Sequence, residues 1–219
     1  MKKYILTTAI LICFSIYSFS QKIVDKKVEV NGNEVVMKLS FADDIKIEAW
    51  NKNYIELKAK VNIDENKFND KFSLDIENEG SVVKIIENID FEAIKKARKK
   101  SGDKNENSWD TDLNYSLKVP ASLVYSLKSI SGDIEIIDCV GEMNISTVSG
   151  FIDYSVSAKQ KAGIKVSTIS GEVYSDLEFD NEPSQKISWV GTNRKLNLNG
   201  GGTAIKLKSV SGNIYLRKK

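Results

Sequence analysis

Leu127-Lys128-Ser129-Ile130-Ser131-Gly132-Asp133-Ile134 recurs along the chain. It returns as Ile145-Ser146-Thr147-Val148-Ser149-Gly150-Phe151-Ile152, as Val166-Ser167-Thr168-Ile169-Ser170-Gly171-Glu172-Val173, and as Leu207-Lys208-Ser209-Val210-Ser211-Gly212-Asn213-Ile214. A degenerate copy, Ile187-Ser188-Trp189-Val190-Gly191, is one residue short. Successive glycines of this series stand 18, 21, 20 and 21 residues apart. Self-similarity at a near-constant period of about twenty predicts stacked coils, because one such unit cannot bury its apolar side alone. A row of ordinary hairpins in a sandwich would also give short strands at regular intervals. It would not require the same short string at each of them.

The columns of the repeat have separate physical roles. Gly132, Gly150, Gly171, Gly191 and Gly212 suit a corner that needs positive φ or a close backbone approach. Ser131, Ser149, Ser170 and Ser211, just before the glycine, can hydrogen-bond backbone groups freed at the bend. Ile134, Ile152, Val173 and Ile214 are expected to stack as one inward ladder, and Leu127, Ile145, Val166 and Leu207 as a second. A coil of about twenty residues has room for about three short strands. The expected fold is all-β: a right-handed β-solenoid, parallel β-helix-like, over residues 119–219.

Upstream, apolar residues alternate with polar ones, the period of half-buried strands. Ile55, Leu57, Ala59 and Val61 fall on one face, with Lys58 and Lys60 on the other. Turn signals at Asn31-Gly32-Asn33, Asn51-Lys52-Asn53 and Asn78-Glu79-Gly80 separate the strands. Residues 21–118 therefore read as β-strands and hairpins packed onto or continuing the solenoid, the whole of 21–219 forming one continuous domain. Residues 90–110 break the pattern. They open on a helical turn or two (Phe91, Ile94, Ala97) and run through the basic cluster Lys95 to Lys100. The stretch is expected to be a mobile surface loop, its charge balanced by nearby acids.

Residues 1–20 have the layout of a secretory signal peptide: Lys2 and Lys3, an apolar run from Ile5 to Ile16, and small residues at Ser18 and Ser20. The apolar run is too short for a comfortable membrane span. Lys and Arg number 32 and Asp and Glu 30, and the leader holds two of the lysines, so the mature chain is formally neutral. Neutrality argues against broad capture of nucleic acid. Cleavage also leaves Cys139 as the single cysteine, expected to be buried as a small hydrophobe. The protein is expected to be exported, either periplasmic or at the cell surface, with no transmembrane segment after cleavage.

The Ser-Gly-x-Ile/Val repeats, preceded by Leu117-Lys118-Val119-Pro120, resemble the putative-adhesin family of bacterial envelope β-solenoid domains. Asp44-Ile45-Lys46-Ile47-Glu48-Ala49-Trp50 and Tyr54-Ile55-Glu56-Leu57 are similar to that family's opening strands. The resemblance implies an adhesin-like module whose partner is an unknown protein or glycan at the cell envelope. It brings no catalytic or binding residues with it.

The chain has no histidine, which removes Ser-His-Asp and Cys-His nucleophilic sites and most zinc sites. No phosphate-binding loop or dinucleotide fingerprint is present. No cofactor or metal is expected. Carboxylate chemistry on polysaccharide is the surviving enzymatic option, through Glu135, Asp153 and Glu172 near successive bends. Acids on exposed strand faces ordinarily serve solubility. Trp189, with Asn193 and Arg194 beside it, is the candidate ligand contact: an outward indole near a guanidinium could stack a sugar ring, an inward one would plug the core. The leading expectation is a non-enzymatic binding module. The alternative is a periplasmic structural or envelope-stress component acting through protein partners.

Overall fold

The computed structural model describes residues 21–102, 109–180 and 187–219. The expected signal peptide lies outside the described residues, as does the polar segment 103–108. In chain order the strands are β1 (Lys22–Glu29), β2 (Glu34–Lys38), β3 (Asp44–Trp50), β4 (Tyr54–Ile63), β5 (Phe72–Glu79) and β6 (Val82–Ile89). A helix, α1 (Phe91–Ser101), then precedes β7 (Thr111–Pro120), β8 (Tyr125–Lys128), β9 (Asp133–Ile137), β10 (Met143–Thr147) and β11 (Ile152–Val156). The chain closes with β12 (Ala162–Ser167), β13 (Glu172–Ser175), β14 (Ile187–Val190), β15 (Asn193–Leu198), β16 (Thr203–Ser209) and β17 (Ile214–Lys218).

These strands form two mixed, mostly parallel sheets whose inner faces share one core. The nine-stranded sheet runs β1-β4-β7-β3-β9-β11-β17-β13-β14, and the eight-stranded sheet runs β15-β12-β16-β10-β8-β2-β6-β5. Each repeat supplies a strand to the eight-stranded sheet, turns at its Ser-Gly corner, and supplies a strand to the nine-stranded sheet. A repeat thus holds two strands where its length allowed about three, because the corners and return segments take up the remaining residues. The N-terminal half uses the same device, with β2 followed by β3 and β6 followed by β7. The Asn78-Glu79-Gly80 signal does form a hairpin, β5 pairing antiparallel with β6.

Both expected ladders form. In the nine-stranded sheet Ile45, Ile134, Ile152, Ile214 and Val173 are in register. In the other, Met37, Leu127, Ile145, Leu207 and Val166 are in register. All of these are buried, each contributing about 1.5–3 kcal/mol by its removal from water. Their spatial order is not the chain order. The last repeat, β16–β17, sits between β10–β11 and β12–β13. The degenerate copy departs further: β14 lies in the nine-stranded sheet and runs antiparallel to β13, and β15 runs antiparallel to β12. It closes one end of the stack by reversing direction. At the other end β4 pairs antiparallel with β7 and β5 with β6.

The glycine column has a steric cause. Gly132, Gly150, Gly171 and Gly212 do not take positive φ; among the column's glycines only Gly191 does, at 50°. What the four need is proximity. A Cβ on Gly150 would lie 1.9 Å from the Gly132 carbonyl oxygen, one on Gly212 1.9 Å from that of Gly150, and one on Gly171 2.1 Å from that of Gly212. Residues three before each glycine complete the corner. The hydroxyls of Ser129, Thr147, Thr168 and Ser209 accept from the N–H of Gly132, Gly150, Gly171 and Gly212 at 2.8–3.3 Å. Thr147, Ser209 and Thr168 also donate to the carbonyl of the glycine in the next coil at 3.1–3.4 Å. Buried hydroxyls that both accept and donate leave no polar group stranded at a dry corner.

Residues 91–101, expected within a loop, form α1 instead. The Asp90 carboxylate accepts from the Ala93 N–H at 2.8 Å, Gly102 ends the helix with φ 76°, and Ile94 is fully buried. An N-cap, a left-handed C-terminal glycine and an anchored apolar residue outweigh the cost of clustered lysines. Arg98, largely buried, forms an ion pair with the buried Asp64.

Cys139 is 1% exposed, and burial pushes its thiol up to about 12. Glu87 is also buried between the sheets. Its carboxylate accepts from the Tyr115 hydroxyl at 2.5 Å and from the Phe41 N–H at 2.7 Å. Desolvation raises its pKa, with these two hydrogen bonds opposing the rise. Glu87→Ala is expected to cost about 3 kcal/mol, since two buried donors lose their acceptor. Glu87→Gln can still serve both partners and is expected to stay within about 1 kcal/mol of wild type at neutral pH. A raised carboxyl pKa means the folded state holds its proton to higher pH than the unfolded chain. Stability from this group is therefore full below the ordinary glutamate value of about 4.3 and is lost as pH rises through the folded value. Thermal melts across that window should show the loss in wild type and not in Glu87→Gln.

Candidate ligand-binding face

Parallel, in-register pairing carries the outward residues of the nine-stranded sheet into straight rows. One row reads Lys46, Glu135, Asp153, Tyr215, Tyr174. The row beside it holds Asp44 paired with Asp133, then Phe151, Asn213 and Glu172. The charged end and the aromatic end meet on β11 and β17.

At the aromatic end the rings of Tyr174 and Tyr215 stack with centroids 5.4 Å apart and planes 11° from parallel. Phe151 meets Tyr215 edge-on at 6.0 Å. Phe151 and Tyr174 are each 37% exposed, so the cluster forms a platform open to solvent. The Arg217 guanidinium lies 4.9 Å from the Tyr215 ring centre, and its Nε donates to Asp153 Oδ2 at 2.6 Å. Asp153 Oδ1 is buried and accepts no hydrogen bond. Beside it lies a groove of about 310 Å³, lined by Asp44, Lys46, Asp133, Glu135, Phe151 and Asp153. Lys46 pairs with Glu135 across it at 3.1 Å. A flat aromatic surface ringed by acceptors and cations suits a ligand with an apolar face and a polar rim, which is the description of a sugar ring.

The expected contact residues do not converge on this platform. Trp189 lies in β14 at the register position opposite Val173, and its side chain is outside the described residues. Asn193 and Arg194 are successive residues of β15, in the other sheet. Asn193 is exposed, while Arg194 is half-buried in register with Val166. Of the corner serines, Ser131 donates to the Ala42 carbonyl and Ser170 to that of Val210, at 3.3 and 3.4 Å; Ser149 and Ser211 are exposed. Phe151, Tyr174 and Tyr215 were legible in principle. They stand one or three residues after a column glycine, outward by alternation, but only the spatial order of the coils brings them together.

The three carboxylates weighed for catalysis are engaged: Glu135 with Lys46, Asp153 with Arg217, and Glu172 as acceptor for the Tyr174 hydroxyl. Among the described residues no helix is long and apolar enough to cross a membrane.

A solved bacterial structure shares this fold. It is that of a putative cell adhesion protein from Clostridium sporogenes ATCC 15579, similar to this chain with TM-score 0.54 at 15% identity, over 91% of this chain and 100% of that one. A putative adhesin from Bacteroides fragilis NCTC 9343 aligns over 91% of this chain and 98% of its own at 10% identity, with TM-score 0.35. No family model and no curated protein sequence matches the chain. The likeness to the Clostridium sporogenes protein is a likeness of fold along 91% of this chain.

Proposed function

We propose that this protein is a non-enzymatic, adhesin-like binding module of the bacterial cell envelope, exported through its leader. In this reading the coils form a flattened, two-sheeted solenoid with right-handed crossovers. Its nine-stranded face takes glycan on Phe151, Tyr215 and Tyr174. The observation that carries the reading is the stacked, solvent-open tyrosine pair, with Phe151 edge-on beside it and the Arg217–Asp153 pair at its rim. The description of the Clostridium sporogenes protein as a cell adhesion protein supports the same class of function.

A second reading, a periplasmic component acting through protein partners, has its own support. The repeat position two before each glycine is apolar, yet Ile130, Val148 and Ile169 are 49%, 44% and 69% exposed. Exposed apolar side chains repeated along one edge suit contact with protein. Location separates the two readings. With a tag at the C-terminus, protease added to intact cells should digest the protein if it acts as an adhesin. Protection until the outer barrier is opened would overturn the adhesin reading in favour of the periplasmic one.

A further inference from the structure

We infer that the outer face of the eight-stranded sheet is a binding surface for an anionic polysaccharide, separate from the aromatic platform. Register lines its lysines up side by side. Lys165 lies directly between Lys206 and Lys195, and Lys38 is paired with Lys128. Lys208 follows Lys206 two residues on, on the same face. Neighbouring strands are about 4.8 Å apart, and like charges directly opposite one another destabilise a sheet. Lys38, Lys128, Lys165, Lys206 and Lys208 have no ion-pair or hydrogen-bond partner within the described residues, whereas Lys195 at the sheet edge has a partner. On the opposite face Lys46 and Arg217 each hold a carboxylate, and at the β5–β6 edge of this one Lys84 holds Glu79. Like charges kept in register, Lys165 beside Lys206 and Lys38 beside Lys128, are matched by a partner carrying regularly spaced charge of the other sign.

The spaces between the lysines indicate the kind of polyanion. In register with them stand Asn144, Ser126 and Ser146, short polar groups able to bond hydroxyls and carboxylates. A groove of about 340 Å³ crosses the face past Lys38, Lys128, Lys206 and Asn144, with Glu34 and Glu142 at one end. No aromatic side chain lies between the lysines to stack a base, as single-stranded nucleic acid binding uses. A second copy of the chain is a poor complement, since the outer face of its nine-stranded sheet mixes exposed Lys46, Lys58, Lys60 and Lys118 among its acids. An extended, hydroxyl-rich polymer of uronate or sulfate units fits the rows.

The test uses the mature chain against immobilised polygalacturonate, with dextran as the neutral control. Wild type should bind polygalacturonate with a steep loss on adding salt and should not bind dextran. Lys165→Glu combined with Lys128→Glu should weaken binding at least tenfold while leaving the melting temperature equal or higher, because each new carboxylate relieves a like-charge contact. Lys58→Glu, on the other sheet, should bind as wild type does. Tyr215→Ala should also keep polygalacturonate binding, so failure of the aromatic platform and failure of this face are told apart. Absence of binding at low salt, or binding that survives the double reversal, would overturn the inference. Equal binding to duplex DNA, or to phosphatidylglycerol vesicles, would overturn the polysaccharide assignment as well.

Discussion

Gly212→Ala is expected to destabilise the protein by about 4 kcal/mol or to prevent folding, the rare size of effect that requires a named mechanism. The mechanism is a backbone collision. The new methyl would sit 1.9 Å from the Gly150 carbonyl oxygen and 2.5 Å from its carbon, and no rotamer change can move either atom. Relief would require separating β17 from β11, which opens the ladder between Ile214 and Ile152. Ser209 would lose its place too, since its hydroxyl bridges the Gly212 N–H and the Gly150 carbonyl. Gly163→Ala is the matched control. It lies in β12 with nothing within 4 Å of the added methyl and without positive φ. There the smaller conformational freedom of the unfolded chain should give a gain of about 0.5 kcal/mol. Equilibrium denaturation of both variants checks the pair, and similar losses at the two positions would contradict the steric account of the column.

Truncation after Gly202 is expected to abolish the native state. It removes β16 and β17, the last repeat in the chain. Were the coils stacked in chain order, this would peel off an end and leave the remainder folded. Here it removes a coil from the interior of both sheets. β10 and β11 lose a neighbour, and the unit of β12, β13, β14 and β15 loses its attachment to the rest. The buried side chains lost include Ile205, Leu207, Ile214 and Leu216. They are worth on the order of 10 kcal/mol by transfer, comparable with the whole stability of a domain, about 5–15 kcal/mol. A truncated chain that still melts in one cooperative transition, only a few degrees lower, would support chain-order stacking.

The same feature explains what could be read in the residues and what could not. Period-two alternation placed Ile134, Ile152, Val173 and Ile214 in a ladder, and the recurring glycine marked their corners. The order of the coils was hidden because the repeats are near-copies: each offers its neighbour the same glycine, the same hydroxyl and the same apolar pair. The end beside β13 is instead closed by the reversed Ile187–Val190 strand, which pairs antiparallel with it. The hydroxyl three before each glycine recurs in every copy, yet nothing in the sequence distinguishes its role at the corner from that of the serine adjacent to the glycine. Helix α1 was obscured by its lysines, and its anchor Asp64 lies far away in sequence. The charge sum was a weaker guide than its placement. A neutral mature chain discouraged any polyanion, whereas strand pairing sets Lys165 between Lys195 and Lys206 and Lys38 beside Lys128. The platform depends on coil order directly: Tyr215 meets Tyr174 because β17 lies beside β13.

The claim that the nine-stranded face binds sugar is tested most directly on a glycan array, with the mature chain and its Tyr215→Ala variant applied in parallel. Wild type should bind a related set of glycans, and the variant should lose at least tenfold in affinity for them, about 1.4 kcal/mol or more. Its melting temperature should fall little, because Tyr215 points outward. Glycan binding that the variant retains in full, or no glycan binding by wild type, would contradict the account.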